Sequence, residues 1–115
     1  HPNLSITATA VRVPVTNCHG ESINVVFEKS FELTDIFKIL KSAPGIIVQD
    51  DIENNIYPIA SNVNGHDEVF IGRIRKDFST KNGLNLWVVA DNLRKGAASN
   101  AIQIIEKMIN VDKNI

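Results

Sequence analysis

Two runs of alternating side chains, VFIGRIRKD at Val69–Asp77 and LNLWVVA at residues 84–90, flank Lys81-Asn82-Gly83. No other pattern in the chain restricts the fold as much. A strand sends successive side chains to opposite faces, so each run reads as one strand. Asn82 and Gly83 both tolerate positive φ, which a tight reversal needs. The pattern predicts an antiparallel hairpin with a connection longer than two residues. A lone hairpin is marginal in water, so further strands or a helix must cover it.

The rest of the chain supplies candidates. Residues 4–15, LSITATAVRVPV, put Thr7, Thr9, Val11, Val13 and Val15 on one strand face. Ile6, Ala8, Ala10, Arg12 and Pro14 take the other. β-branched residues dominate, and Pro14, with no N–H, belongs at a strand end or edge. Residues 16–20 read as a polar turn. Residues 21–28 alternate again, with Ile23, Val25 and Phe27 on one face. Residues 33–43 change to helical spacing, with Ile36, Ile39, Leu40 and Ala43 in one stripe. Thr34 is a suitable N-cap, and Pro44-Gly45 a stop. Residues 46–48 form a short apolar strand, and residues 49–67 read as an extended loop.

A last helix is expected from about Leu93 to Met108. Ala97, Ala101, Ile104 and Met108 share a stripe, with Ala98, Ile102 and Ile105 beside it. An apolar arc this wide must pack against a sheet or a neighbouring unit. Residues 110–115 are expected to fray. The order predicts an α+β fold, a mixed and mainly antiparallel sheet with helices packed on one face. That sheet is expected to include residues 4–13, 69–77 and 84–90, covered by helix 33–43.

Length and charge narrow the function. The chain has 115 residues, which suits one domain. Its formal net charge of -1 gives no electrostatic case for nucleic acid. The nearest basic patch, Arg73, Arg75 and Lys76, divides between two strand faces and reads as a solvated strand. The single cysteine, Cys18, cannot form an internal disulfide. No run is long enough to span a bilayer, and a cytoplasmic location is expected. The start, His1-Pro2-Asn3, has no initiator methionine, basic region or apolar leader and suggests a fragment. No dinucleotide fingerprint, P-loop, zinc-spaced cluster or repeat occurs.

Few residues invite chemistry. Arg12 is either a solvated strand-end group or a guanidinium aimed at an anion, whose rigid fork suits a carboxylate. His19 is either a surface histidine or an acid/base, since imidazole titrates near neutrality. One strand end and one turn can bring the two to one cleft. Cys18-His19 makes a weak nucleophile pair, because adjacent side chains often diverge. Asp50, Asp51 and Glu53 lack calcium-loop spacing and read as an acidic turn. Asp91 or Asn92 can cap the last helix, where free N–H groups can also meet a phosphate or an amide. Trp87 is assigned to the core.

Three stretches, ITATAVRVPVTNCHGESINVVFE, DEVFIGRIRKDFSTKNGLNLWVV and ADNLRKGAASNAIQI, together resemble the aspartate-semialdehyde dehydrogenase family. The resemblance runs from about Leu4 to Ile109. It implies a C-terminal domain like that of glyceraldehyde-3-phosphate dehydrogenase. Residues 1–115 would be a single C-terminal fragment. Within it, 1–90 would be the substrate and dimerisation portion, and 91–110 a helix returning toward a nucleotide-binding domain outside this sequence. The implied reaction is NADPH-dependent reduction of L-aspartyl-4-phosphate to L-aspartate-4-semialdehyde with phosphate release. It belongs to amino-acid biosynthesis leading to lysine (through diaminopimelate), threonine and methionine.

The family's nucleophilic cysteine and Gly-rich nucleotide-binding part precede the matching segment. NADP would therefore be bound mainly by sequence outside this chain, and the fragment alone would be inactive. By the same resemblance, Arg12 holds the substrate carboxylate, His19 is the catalytic acid/base, and Asn92 lies near the cofactor. Cys18 matches no catalytic cysteine, and Ala10 stands where many members have cysteine. Implied partners are the N-terminal nucleotide-binding part, a second copy in a homodimer, and the small-molecule substrate. No metal, nucleic acid or membrane is implied. A non-catalytic α+β binding or dimerisation domain is the alternative, since the chain holds neither a matching nucleophile nor a nucleotide motif.

Overall fold

The computed structural model describes residues 3–112. Its elements, in chain order, are β1 (His19–Val26), α1 (Leu33–Ser42), β2 (Ile46–Val48), α2 (Ala60–Val63), β3 (Val69–Asp77), β4 (Gly83–Ala90) and α3 (Ala98–Asp112). The strands form one sheet in the order β1-β4-β3-β2. This is the α+β, mainly antiparallel mixed sheet expected from the sequence.

The β3–β4 hairpin organises it. The strands pair from Phe70↔Val89 to Asp77↔Gly83, and Asn82 takes φ 58° in the reversal. The Phe27 N–H donates to the Asn82 carbonyl at 3.0 Å, tying the end of β1 to the turn. β1 pairs antiparallel with β4, from His19↔Ala90 to Val26↔Gly83. β2 joins the far side of β3 in parallel, beginning at Ile46↔Val69.

Alternation on β4 sorts the core. Leu84, Leu86 and Val88 face α1, where Ile71, Ile74 and Leu84 are buried against Leu33, Ile36, Phe37 and Leu40. Burial of each such side chain contributes roughly 1.5–3 kcal/mol. The opposite face carries a smaller cluster, in which Phe70 and Val89 pack with Cys18 and the α2 residue Val63. Trp87 packs on that cluster and is half-buried.

Several expectations need correction. Residues 4–15 form no strand; side chains 4–15 are exposed. β-branched residues favour extension, but a strand is stabilised by a ladder partner, and no described strand pairs with this segment. Unbroken alternation along residues 69–77 would put Arg73, Arg75 and Asp77 on one face, yet the register shifts between Gly72 and Arg75. The extra residue makes a bulge, where Arg73 adopts φ 53°. Ile74 is thereby turned into the core, at 3% exposure.

α1 starts with Glu32 in the N-cap position and no side-chain cap, so Thr34 lies inside the first turn. The last helix begins at Ala98, not Leu93. Gly96 at φ 80° interrupts the helical path, and Arg94 and Lys95 instead donate backbone N–H bonds to the Asp91 carbonyl. The helix continues to Asp112, while the rest of the tail expected to fray lies outside the described residues. No described helix is long and apolar enough to cross a membrane.

Candidate functional site

His19 opens β1 beside Ala90, the last residue of β4. The preceding residue, Cys18, is buried and has φ 76°. A side chain in this left-handed region is strained, so surrounding contacts must hold it. Asn92 supplies one: its Oδ1 accepts the Cys18 N–H at 2.9 Å. The Cys18 Sγ donates to the Ala60 carbonyl at 3.4 Å.

Asp91 secures the other side of this junction. It is a buried carboxylate, 3% exposed. Its Oδ2 accepts the Gly65 N–H at 2.8 Å, and its Oδ1 accepts the Leu93 N–H at 2.9 Å. These two backbone donors hold the carboxyl below its ordinary pKa. The Asp91 side chain thus joins the end of α2 to the turn that leaves β4.

Burial pushes the Cys18 thiol pKa upward, and the nearby Asp91 charge acts in the same direction. A buried, protonated thiol is a poor nucleophile. The weak Cys-His reading therefore has no geometric support, whereas the backbone of Cys18 links His19 to Asn92.

Arg12 shares no hydrogen bond or ion pair with His19 or Asn92. It lies in the exposed segment before β1, and no hydrogen bond or ion pair joins its side chain to another described residue. The acidic loop is structural. Asp51 accepts the Asn54 N–H at 3.1 Å and its side-chain amide at 2.8 Å. Asp50 binds the β3 backbone at Arg73 and Ile74. Among the described residues no group of His, Cys, Asp and Glu is arranged to hold a metal.

Sequence reasoning missed a recess of about 410 Å³ on the sheet, lined by Ser22, Tyr57, Arg73, Arg75, Leu86 and Trp87, among others. The Arg73 guanidinium lies 5.6 Å from the centre of the Tyr57 ring. Arg75 donates through Nη1 to the Arg73 carbonyl at 2.7 Å. Trp87 Nε1 donates to the Pro58 carbonyl at 2.8 Å, pinning the loop beside the recess. The bulge brings the two arginines together; its sequence signal was the Gly72 interruption in β3.

Residues 1–95 match the family model of the semialdehyde dehydrogenase dimerisation domain. The aspartate-semialdehyde dehydrogenase of Aquifex aeolicus (strain VF5) is 50% identical over 107 residues, covering 93% of this chain and 32% of that protein. The Bacillus subtilis (strain 168) protein of the same name is 44% identical over 108 residues, covering 93% of this chain and 31% of its own length. The crystal structure of aspartate semialdehyde dehydrogenase II from Vibrio cholerae, complexed with ASA, has a TM-score of 0.78 and 38% identity to this chain. That alignment covers 86% of this chain and 29% of the Vibrio chain. The chain spans only about a third of the curated relatives, 32% and 31% of the two described here.

Proposed function

This chain belongs to the semialdehyde dehydrogenase dimerisation-domain family, and from that premise we propose that it is the C-terminal substrate and dimerisation part of an NADPH-dependent reductase. The complete protein would convert L-aspartyl-4-phosphate to L-aspartate-4-semialdehyde and release phosphate. The observation that carries this reading is the juncture of His19 and Asn92 through the Cys18 backbone. It places an imidazole and a side-chain amide at the same end of the sheet.

The roles follow from chemistry. His19 is exposed at the head of β1, accessible to a substrate, and is the acid/base. Arg12 is the carboxylate clamp, its fork fixing the amino-acid end so that the acyl phosphate is aimed. The nucleophilic cysteine belongs to sequence outside this chain, since Cys18 is buried.

NADP fits one residue here. Asn92 Oδ1 is occupied by the Cys18 N–H, while its Nδ2 donates to no described residue. Two N–H donors are thus free for an acceptor such as a carboxamide carbonyl. When bound, the cofactor supplies hydride. The rest of its binding surface belongs to the N-terminal nucleotide-binding part.

Domain roles complete the proposal. Residues 1–90 form the substrate and dimerisation portion, and 91–110 return toward the nucleotide-binding part. Ile102, Ile105 and Met108 of α3 are 59%, 56% and 63% exposed, supporting a packing partner there. The homodimer is assigned to the sheet, on the face opposite α1.

The test compares the full-length protein with this chain alone. NADPH oxidation coupled to phosphate release is expected only from the full-length protein. Its His19→Ala variant should lose about 10²–10⁴-fold in kcat if proton transfer limits turnover. An inactive full-length protein that still dimerises would leave the non-catalytic alternative standing. Unaltered turnover by His19→Ala would remove the acid/base role.

A further inference from the structure

We propose that Asn92 is a positioning residue for His19, separately from any contact it makes with the cofactor. This rests on the acid/base reading of His19. The Asn92 carbonyl accepts the Cys18 N–H at 2.9 Å and holds Cys18 at φ 76°. The direction in which the His19 imidazole leaves the head of β1 follows from that backbone.

His19 has no side-chain hydrogen bond or ion pair to another described residue and is exposed. Its aim must therefore come largely from its backbone. On one side that backbone is in register with Ala90. On the other it follows a non-glycine residue in the left-handed region, a conformation costing about 1–2 kcal/mol. Relaxing Cys18 to negative φ would rotate the chain just before His19. The Asn92 bond opposes that rotation, with the Cys18 contact to Ala60 as a second restraint.

Asn92 is itself held by its neighbour. Asp91 binds the Gly65 and Leu93 N–H groups, so the turn carrying Asn92 is anchored on both sides. The Cys18 N–H requires an oxygen acceptor, which fixes the orientation of the Asn92 amide. Its carbonyl end faces the acid/base turn and its NH₂ end faces away. One planar group can thus set the histidine direction and donate to a cofactor at the same time.

The two ends can be separated in the full-length protein. Asn92→Asp keeps an acceptor for Cys18 but removes the NH₂ donor; Asn92→Ala removes both. Selective ¹⁵N-cysteine labelling, assigned with Cys18→Ala, reads the Cys18 amide. Labelled histidine, assigned with His19→Ala, reads the ring. Asn92→Ala should reduce exchange protection of the Cys18 amide, shift the His19 ring signals and lower kcat by up to about 10²-fold. Asn92→Asp should preserve the Cys18 amide and keep kcat closer to the parent value, with its main damage in the KM for NADPH.

An unchanged Cys18 amide or unchanged His19 ring signals in Asn92→Ala would overturn the proposal. So would equal kcat in both variants, with every loss confined to KM. His19→Ala kinetics test the underlying acid/base reading separately. If His19→Ala retained kcat, that reading would fail, while the two sets of resonances would still decide whether Asn92 positions His19.

Discussion

The carboxylate of Asp50 accepts the backbone N–H of Arg73 at 2.9 Å, at the point where β3 carries its extra residue. Its second oxygen accepts the Ile74 N–H at 2.8 Å. One side chain thus satisfies two donors that the interrupted ladder leaves unpaired. Asp50→Ala should cost about 2–4 kcal/mol in denaturant unfolding, since an orphaned buried donor costs about 1–3 kcal/mol and water partly replaces the bond at the exposed Arg73 N–H. Asp50→Asn, which retains one acceptor oxygen, should cost less. Equal, negligible losses would show that water replaces this carboxylate freely.

The neighbouring glycine tests the contact between loop and sheet. A Cβ at Gly72 would lie 2.6 Å from Pro58 Cδ, with the Gln49 carbonyl oxygen also in the way. Gly72→Ala should destabilise the domain by about 1–3 kcal/mol through overpacking. Because Pro58 accepts the Trp87 indole N–H, displacement of the loop should also shift Trp87 emission to longer wavelength. A stable variant with parental emission would contradict this packing.

These two sites also show where the sequence was legible. Val69–Asp77 and residues 46–48 were located from alternation and short apolar runs, and both coincide with observed strands. Asn82-Gly83 marked the hairpin because its φ requirement is local. Only Gly72 marked the Arg73 bulge in the sequence; the Asp50 carboxylate that holds it, distant in sequence, was not legible. Residues 4–15 had the composition of a strand but no described ladder partner. At the candidate site, the roles proposed for His19 and Asn92 come from the resemblance, while the bond through Cys18 requires the folded chain. No residue pattern foretold that a cysteine would occupy φ 76°.

Asp91 gives a pH signature. Its bonds from Gly65 and Leu93 lower its folded-state pKa. The associated stability is fully present above the ordinary aspartate value of about 3.9 and is lost as pH falls through the depressed folded value. Asn at this position cannot carry the charge. Asp91→Asn should therefore be less stable at neutral pH and lose less additional stability on acidification below about pH 4. Unfolding midpoints measured across that range test the sign. An acid limb identical to the parent protein's would show that other carboxylates dominate it.

The proposed homodimer predicts a charge effect on the sheet. Arg75 is exposed beside Trp87 in the recess on the face opposite α1. Arg75→Glu in the full-length protein should raise the dimer dissociation constant by about tenfold or more, equivalent to about 1.4 kcal/mol or more. Lys38→Glu, an exposed change on α1, should have little effect. Sedimentation across a dilution series distinguishes the faces. The greater weakening by Lys38→Glu would move the interface to the helical side.

Arg12 provides the most direct test of substrate recognition. In this chain its guanidinium is exposed and has no described partner, so it is free to meet an anion. Lysine preserves the positive charge but not the planar fork that binds both carboxylate oxygens. Loss of one charged hydrogen bond costs about 1.5–3 kcal/mol, or about 10–10²-fold in kcat/KM toward L-aspartyl-4-phosphate. If the contact is equally strong in ground and transition states, KM should rise alone; if it tightens during reaction, kcat should also fall. NADPH affinity should remain at the parent value, because Arg12 is assigned to the other ligand. Steady-state kinetics with varied aspartyl phosphate, beside a fluorescence titration of NADPH, separate these effects. Full activity of Arg12→Lys would refute the carboxylate clamp, and an equal loss of NADPH binding would point instead to a disturbance of the whole site.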